Sequence, residues 1–101
     1  LNLDSIQSDY IKKHIDKIYN YDTWGAKYNY LVVYANTKDF AQFCTKYQEF
    51  LRKFKFPIKV KNAVVERDIE NCSEIRLYDS ELERNGSTTI ITHIVVNIEC
   101  D

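Results

Sequence analysis

The residues of this 101-residue chain that could do chemistry are two histidines, three cysteines and a run of acids in its last third. None falls into a spacing that names a reaction. No CxxC or HxxxH pair occurs, and His14 and His93 lie far apart. A zinc site would need ligands from distant segments, so no metal and no cofactor is expected. No Ser/His/Asp order, glycine-rich phosphate loop or nucleophile elbow is present, and no catalytic residue is assigned. The nearest echo of an enzyme is Glu81-Leu82-Glu83-Arg84, an acid-x-acid-basic run of the kind that holds Mg²⁺ in nucleases. A metal-dependent nuclease is therefore a remote alternative. The acids Glu66, Asp68, Glu70, Glu74, Asp79, Glu81 and Glu83 also read as a finger that imitates a phosphate row and fills a partner's basic groove. The plainest reading is a charged ribbon that resists edge pairing.

The main basic cluster is Arg52, Lys53, Lys55, Lys59 and Lys61, interleaved with Phe54 and Phe56. Cations beside aromatic rings bind single-stranded nucleic acid by charge and stacking, which makes a nucleic-acid-binding domain the first alternative. Against it, Phe54 continues a helical apolar stripe and Phe56 precedes a buried run, so both rings belong to the core. The pI near 6.1 also weakens it. From Lys27 to Lys61 there are eight Lys/Arg against two acids; from Glu66 to Asp101 there are nine acids against three Arg. The middle is basic and the end acidic, so the halves either attract each other in the fold or offer faces of opposite sign.

The element that must position the acids is a long C-terminal β-hairpin closed by Asn85-Gly86. Asn-Gly between alternating runs demands a turn with φ > 0 at both residues. A two-residue loop fixes the register: Arg84 faces Ser87, Leu77 faces Ile94, Ile75 faces Val96 and Ser73 faces Ile98. The Ile75–Leu77 face is read as the core side. On the opposite face His93 meets Tyr78, beside Ile91, Val95, Leu82, Arg76 and Glu74. That face is expected to expose an apolar strip and to bind another protein. The predicted protein-binding residues are Tyr78, Leu82, Ile91, His93 and Val95, with the acids Glu81 and Glu83 near the tip.

The rest of the chain supplies two helices and two strands. Asp4 or Ser5 is a competent cap for a first helix with the stripe Ile6, Tyr10, Ile11, Ile15 and Ile18, and His14 reads as a packed member of it. Asp22 through Gly25 break the pattern, and Trp24 either anchors that loop or supplies a contact. Tyr28 to Ala35 is a strand, apolar on both faces, and therefore central or flanked by the hairpin. Asn36 or Thr37 caps a second helix through Phe40, Phe43, Cys44, Tyr47, Phe50, Leu51 and Phe54, ended by Pro57. A strand from Ile58 to about Glu66 follows. The order α-β-α-β-β-β predicts an α+β fold. A four-stranded mixed sheet carries both helices on one face, with the first two strands joined by a crossover.

Composition frames the class. A chain that is 45% hydrophobic and 29% charged, with two Gly and one Pro, suits one globular domain, residues 1–101. It lacks an initiator Met, as a domain cut from a longer chain or one freed of a tag would. No membrane segment is expected. Three cysteines without close pairing read as reduced thiols in a cytoplasmic protein. The sequons at Asn71 and Asn85 are short chance-level matches. Abundant Asn, Lys, Ile and Tyr are what an AT-rich viral, phage or low-GC bacterial genome encodes. The expected function is a small non-enzymatic protein-binding module, an inhibitor or regulator working through the hairpin face. A homodimer through the hairpin edge is the second partner expectation.

Overall fold

The structure, a computed structural model, describes residues 2–21, 27–67, 69 and 73–98. In chain order the elements are β1 (Asn2–Leu3), α1 (Ser8–Tyr21), β2 (Tyr28–Ala35), α2 (Phe40–Lys53), β3 (Lys59–Arg67), β4 (Ile75–Arg84) and β5 (Ser87–Asn97). The α+β architecture stands as expected, with a mixed sheet and both helices on one face. A two-residue β1 adds a fifth member that is too short for any periodicity to reveal.

The strand order is β1-β2-β5-β4-β3. β2 runs parallel to both β1 and β5, and the β5-β4-β3 side is antiparallel. The hairpin forms as the sequence dictates. Asn85 has φ 52° and Gly86 φ 80°, and pairing runs without a slip from Ile75↔Val96 to Arg84↔Ser87. The expected Ser73–Ile98 pair lies beyond β4, where the Asn97 amide instead donates to the Glu74 carbonyl at 2.8 Å.

One expectation about edges is corrected. β5 lies between β2 and β4, and β4 between β5 and β3, so the hairpin has no free edge through which to dimerise. β2 is the penultimate strand, flanked by β5 of the hairpin, the second of the two arrangements expected for it. Its outer face is apolar because, among the described residues, one face of the sheet is uncovered.

Helix α2 is capped by Asp39, whose Oδ1 accepts the Gln42 amide at 3.0 Å, and not by Asn36 or Thr37. Asp39 directly precedes the stripe, where its carboxylate reaches an orphan amide of the first turn. The helix stops at Lys53, and Phe54 is extended (ψ 136°), so the chain has left the helical conformation before Pro57 is reached. Helix α1 starts at Ser8, later than Asp4 or Ser5 imply, because Asn2–Leu3 is first used as a strand. Ile11 and Ile15 of α1 and Phe40, Phe43, Cys44, Tyr47 and Leu51 of α2 then share one core with the sheet. Each such large side chain contributes roughly 1.5–3 kcal/mol by burial.

The sheet face turned to this core is the one bearing Leu31, Val33 and Ala35 of β2, Tyr78, Ser80 and Leu82 of β4, and Ile91, His93 and Val95 of β5. This reverses the predicted assignment of the hairpin faces. Tyr78, Leu82, Ile91, His93 and Val95, expected as an exposed strip, are all buried. The physical reason is charge. Asp79, Glu81 and Glu83 follow Ile75 and Leu77 on one face of β4, and a face with three carboxylates cannot be sealed under helices. The less greasy Tyr78–Ser80–Leu82 face can be sealed, once its polar atoms are satisfied.

Candidate functional site

The buried face satisfies those atoms through one chain of hydrogen bonds. Ser80 Oγ donates to the Ala63 carbonyl at 2.8 Å, so it accepts from His93 Nε2–H at 2.9 Å. Nδ1 of the same ring is then the acceptor for the Tyr47 hydroxyl at 2.8 Å. Tyr47, Ser80 and His93 are completely buried. Burial lowers the His93 pKa to about 3 and raises that of the Tyr47 phenol, so both are neutral. A serine, a histidine and a tyrosine in contact have the parts of an activated nucleophile. Here the serine proton is committed to a backbone carbonyl, the histidine acceptor is occupied, and no substrate can reach either. The network is a structural one. The register already put Ser80 and His93 on one face, so this half was legible; Tyr47 comes from another element, and nothing local links it to them.

The adjoining core is equally closed. The Gln48 amide donates to the Tyr78 hydroxyl at 3.3 Å, and the rings of Tyr47 and Tyr78 stack at 6.4 Å. Cys44 is a free, buried thiol whose pKa is raised, mainly by desolvation. Cys72, Cys100 and Trp24 lie outside the described residues. His14 is half-buried on α1, edge-on to Tyr10 at 4.9 Å, with its pKa lowered by burial and then by nearby positive charge.

Among the described residues no element covers the other face of the sheet. β2 presents Tyr28, Tyr30 and Tyr34 there, at 55%, 63% and 41% exposure. Beside them run the half-buried Ile90, Ile94 and Val96 of β5 and Ile75 and Leu77 of β4. Exposed Val65 of β3 and Ile98 after β5 extend this apolar surface. The expected exposed apolar surface is thus present on the opposite side of the ribbon from the one predicted, and the tyrosine row was missed. The signal was available. Tyr28, Tyr30 and Tyr34 share one face at period two, and the acids of β4 mark which face is wet.

The rim of this face is charged, and the charges pair across strands. Lys59 meets Glu83 at 3.3 Å, Asn62 Nδ2 donates to Glu81 at 2.8 Å, and Arg67 lies 3.8 Å from Asp79. Thr92 Oγ1 donates to Asp79 at 2.7 Å, and Lys61 Nζ to Thr88 at 2.6 Å. The basic and acidic stretches therefore attract each other within the fold. Glu81 and Glu83 stand on the open face, where each has an in-chain partner. No three His, Cys, Asp or Glu side chains among the described residues converge as a metal set.

The basic cluster is split. Lys59 and Lys61 belong to this rim, Arg52 donates to Gln48 at 3.4 Å, and Lys53 and Lys55 point to solvent. Phe54 and Phe56 pack inward, edge to face at 4.8 Å, so the cluster holds no exposed stacking ring. No helix among the described residues is long and apolar enough to cross a membrane. No protein-family model, curated protein or solved structure matches the chain.

Proposed function

We propose that this chain is a non-enzymatic protein-binding module whose contact surface is the open face of its sheet. The observation that supports this is the row of exposed tyrosines beside an uncovered Ile/Leu/Val strip. Contiguous apolar patches of this kind mark interaction surfaces, and tyrosine is enriched in their energetic centres. The hairpin takes part through Ile75, Leu77, Ile94 and Val96, while Tyr78, Leu82, Ile91, His93 and Val95 hold it rigid from behind. Such a module acts as a regulator or inhibitor by occupying its partner. The buried free thiol of Cys44 suits a reducing, cytoplasmic setting.

The test is capture from an extract of the source cells, with and without nuclease, read by mass spectrometry for the wild type and for Tyr30→Lys. Tyr30 is largely exposed, so the variant folds. A protein retained at stoichiometry after nuclease and lost with Tyr30→Lys is the expected result. Nucleic acid alone, insensitive to Tyr30→Lys and lost on neutralising Lys53 and Lys55, would overturn the reading.

A further inference from the structure

The geometry points to Asn85 as a modification site: it loses its side-chain amide to become aspartate or isoaspartate, and opening of the hairpin tip sets the rate. The site is independent of whatever binds the open face.

The chemistry begins in the sequence. An asparagine deamidates when the backbone nitrogen of the next residue attacks its side-chain carbonyl carbon, and a side chain on that next residue crowds the attack. Of the chain's eight asparagines only Asn85 precedes a glycine. Asn85 and Gly86 are exposed, and a Cβ on Gly86 would meet nothing within 4 Å, so water and base reach the turn unhindered. In the first step a base takes the Gly86 amide proton, and the nitrogen bonds to Asn85 Cγ. The bond from Cγ to the side-chain nitrogen breaks, and that nitrogen leaves as ammonia with a proton from solvent. A five-membered imide remains. Water then opens it at either carbonyl. Opening at Cγ gives aspartate. Opening at the main-chain carbonyl gives isoaspartate, whose main chain is one methylene longer.

Exposure makes the site reactive, and the backbone holds it back. Both φ values are positive, 52° at Asn85 and 80° at Gly86, which in a two-residue loop defines a type I′ turn. Such a turn sets ψ of its first residue at about +30°. The Gly86 nitrogen then stands nearly opposite Asn85 Cβ across the Cα–C bond, whereas ring closure needs the two on the same side. In the closed turn the reacting atoms cannot meet. Bringing them together takes a large rotation about that bond. The rotation throws Gly86 out of the turn and undoes the Arg84↔Ser87 pair that closes the ribbon. The tip is where opening is easiest. Ser87 is exposed, and the buried pair nearest the turn is Leu82↔Thr89. Local openings of this kind require far less free energy than unfolding the domain. Hairpins open and close in microseconds, and ammonia loss is far slower, so the rate follows the open population.

The two products differ. Asp-Gly closes the same type of turn, so aspartate only adds a negative charge beside Arg84. Isoaspartate lengthens the main chain between Arg84 and Ser87, and the two-residue closure no longer fits. The Arg84↔Ser87 and Glu83↔Thr88 pairs loosen, and with Glu83 goes its contact to Lys59. The change is one-way, so the tip keeps a record of how often it has opened.

Incubation of the purified chain at mildly alkaline pH tests this, with Asn85 followed by peptide mass mapping and isoaspartate by enzymatic methylation. Deamidation is expected at least about tenfold slower in the folded protein than in concentrated urea. Thr88→Gly weakens the strand beside the turn without touching the reacting pair. It is expected to react about fivefold faster than wild type when folded, and at the wild-type rate in urea. The separated isoaspartate form is expected to unfold at lower urea than wild type, and Asn85→Asp at the wild-type midpoint. Equal wild-type rates with and without urea overturn the gate, whatever the variant does. So does a Thr88→Gly chain, folded by circular dichroism, that reacts no faster than wild type. An isoaspartate form as stable as wild type overturns the loosening. An Asn85 that stays intact even in urea overturns the site.

Discussion

On the helix-covered side of the β4–β5 hairpin, polar groups are sealed inside; on the open side they line the rim. The sealed side holds Ser80 and His93 at complete burial and satisfies them with Tyr47 and the Ala63 carbonyl. The open side leaves its carboxylates partly exposed, Asp79 less than Glu83, and pairs them with Lys59, Asn62 and Arg67. Both sides carry Leu and Ile. Apolar content therefore does not decide which side becomes core. What decides it is whether the polar groups interleaved with the apolar ones are few and neutral enough to be satisfied without water.

Paired truncations test the comparison most severely. Leu82→Ala is expected to cost about 3 kcal/mol, and Leu77→Ala at the same strand's open face less than about 1 kcal/mol, both read by urea unfolding. Equal losses would erase the distinction between the faces.

Acid sharpens it. His93 is neutral in the fold with a pKa of about 3, against about 6.5 when unfolded. Its contribution is complete above pH 6.5. As pH falls below that value the unfolded chain gains a proton that the folded chain refuses, and stability drops by about 1.4 kcal/mol per unit until pH nears 3. At pH 4.5 the loss from this group is about 2.7 kcal/mol. Tyr47→Phe, Ser80→Ala and His93→Leu together remove all members of the network. The combined variant is expected to lose one proton's worth of the pH slope relative to wild type, measured by unfolding across pH 4–7. An unchanged slope would mean that His93 is not the group responsible.

Smaller effects probe the ends of the ribbon. Gly86 sits at φ 80° with open space around any added Cβ, so Gly86→Ala is penalised by backbone conformation alone. About 1 kcal/mol is expected in thermal or urea unfolding. Lys59→Ala removes an ion pair whose lysine side chain is 76% exposed, and its cost is expected at about 0.5 kcal/mol or less, vanishing in high salt. The rim then contributes little to stability, in keeping with a role in contact and not in folding.

Much of this fold is legible in the sequence because its signals are local. Asn85-Gly86 dictates the turn, the turn dictates the register, and the Phe40-to-Leu51 spacing dictates α2. Tyr28–Ala35 is read to the residue. The side of the ribbon that faces the helices is not local. Ile75, Leu77, Ile94 and Val96 look like core by hydropathy, and only the three acids that follow on the same face of β4 say otherwise. The contact surface was consequently assigned to Tyr78, Leu82, Ile91, His93 and Val95, one residue out of phase with the open face. A period-two element turns a single misjudged face into a complete exchange of inside for outside. β1 was invisible because two residues carry no period. The cap at Asp39 is not singled out by residue type, because Asn36 caps as well as Asp and Thr37 only somewhat less well.

The position of β5 has a consequence for how the molecule is made. β5 joins β2 to the β3–β4 pair, and it is the last of the described strands to leave the ribosome. Until then β2, α2 and the β3–β4 pair have no common sheet, and Tyr47 has no His93 to bond. Synthesis therefore delivers the earlier elements of this domain unassembled, and its longest-range pairings form together once β5 has emerged. A domain of this kind folds as a unit, after its closing strand and not strand by strand. A nascent chain halted after Arg84 is expected to remain open to protease, and release through Asn97 to close it in one cooperative step.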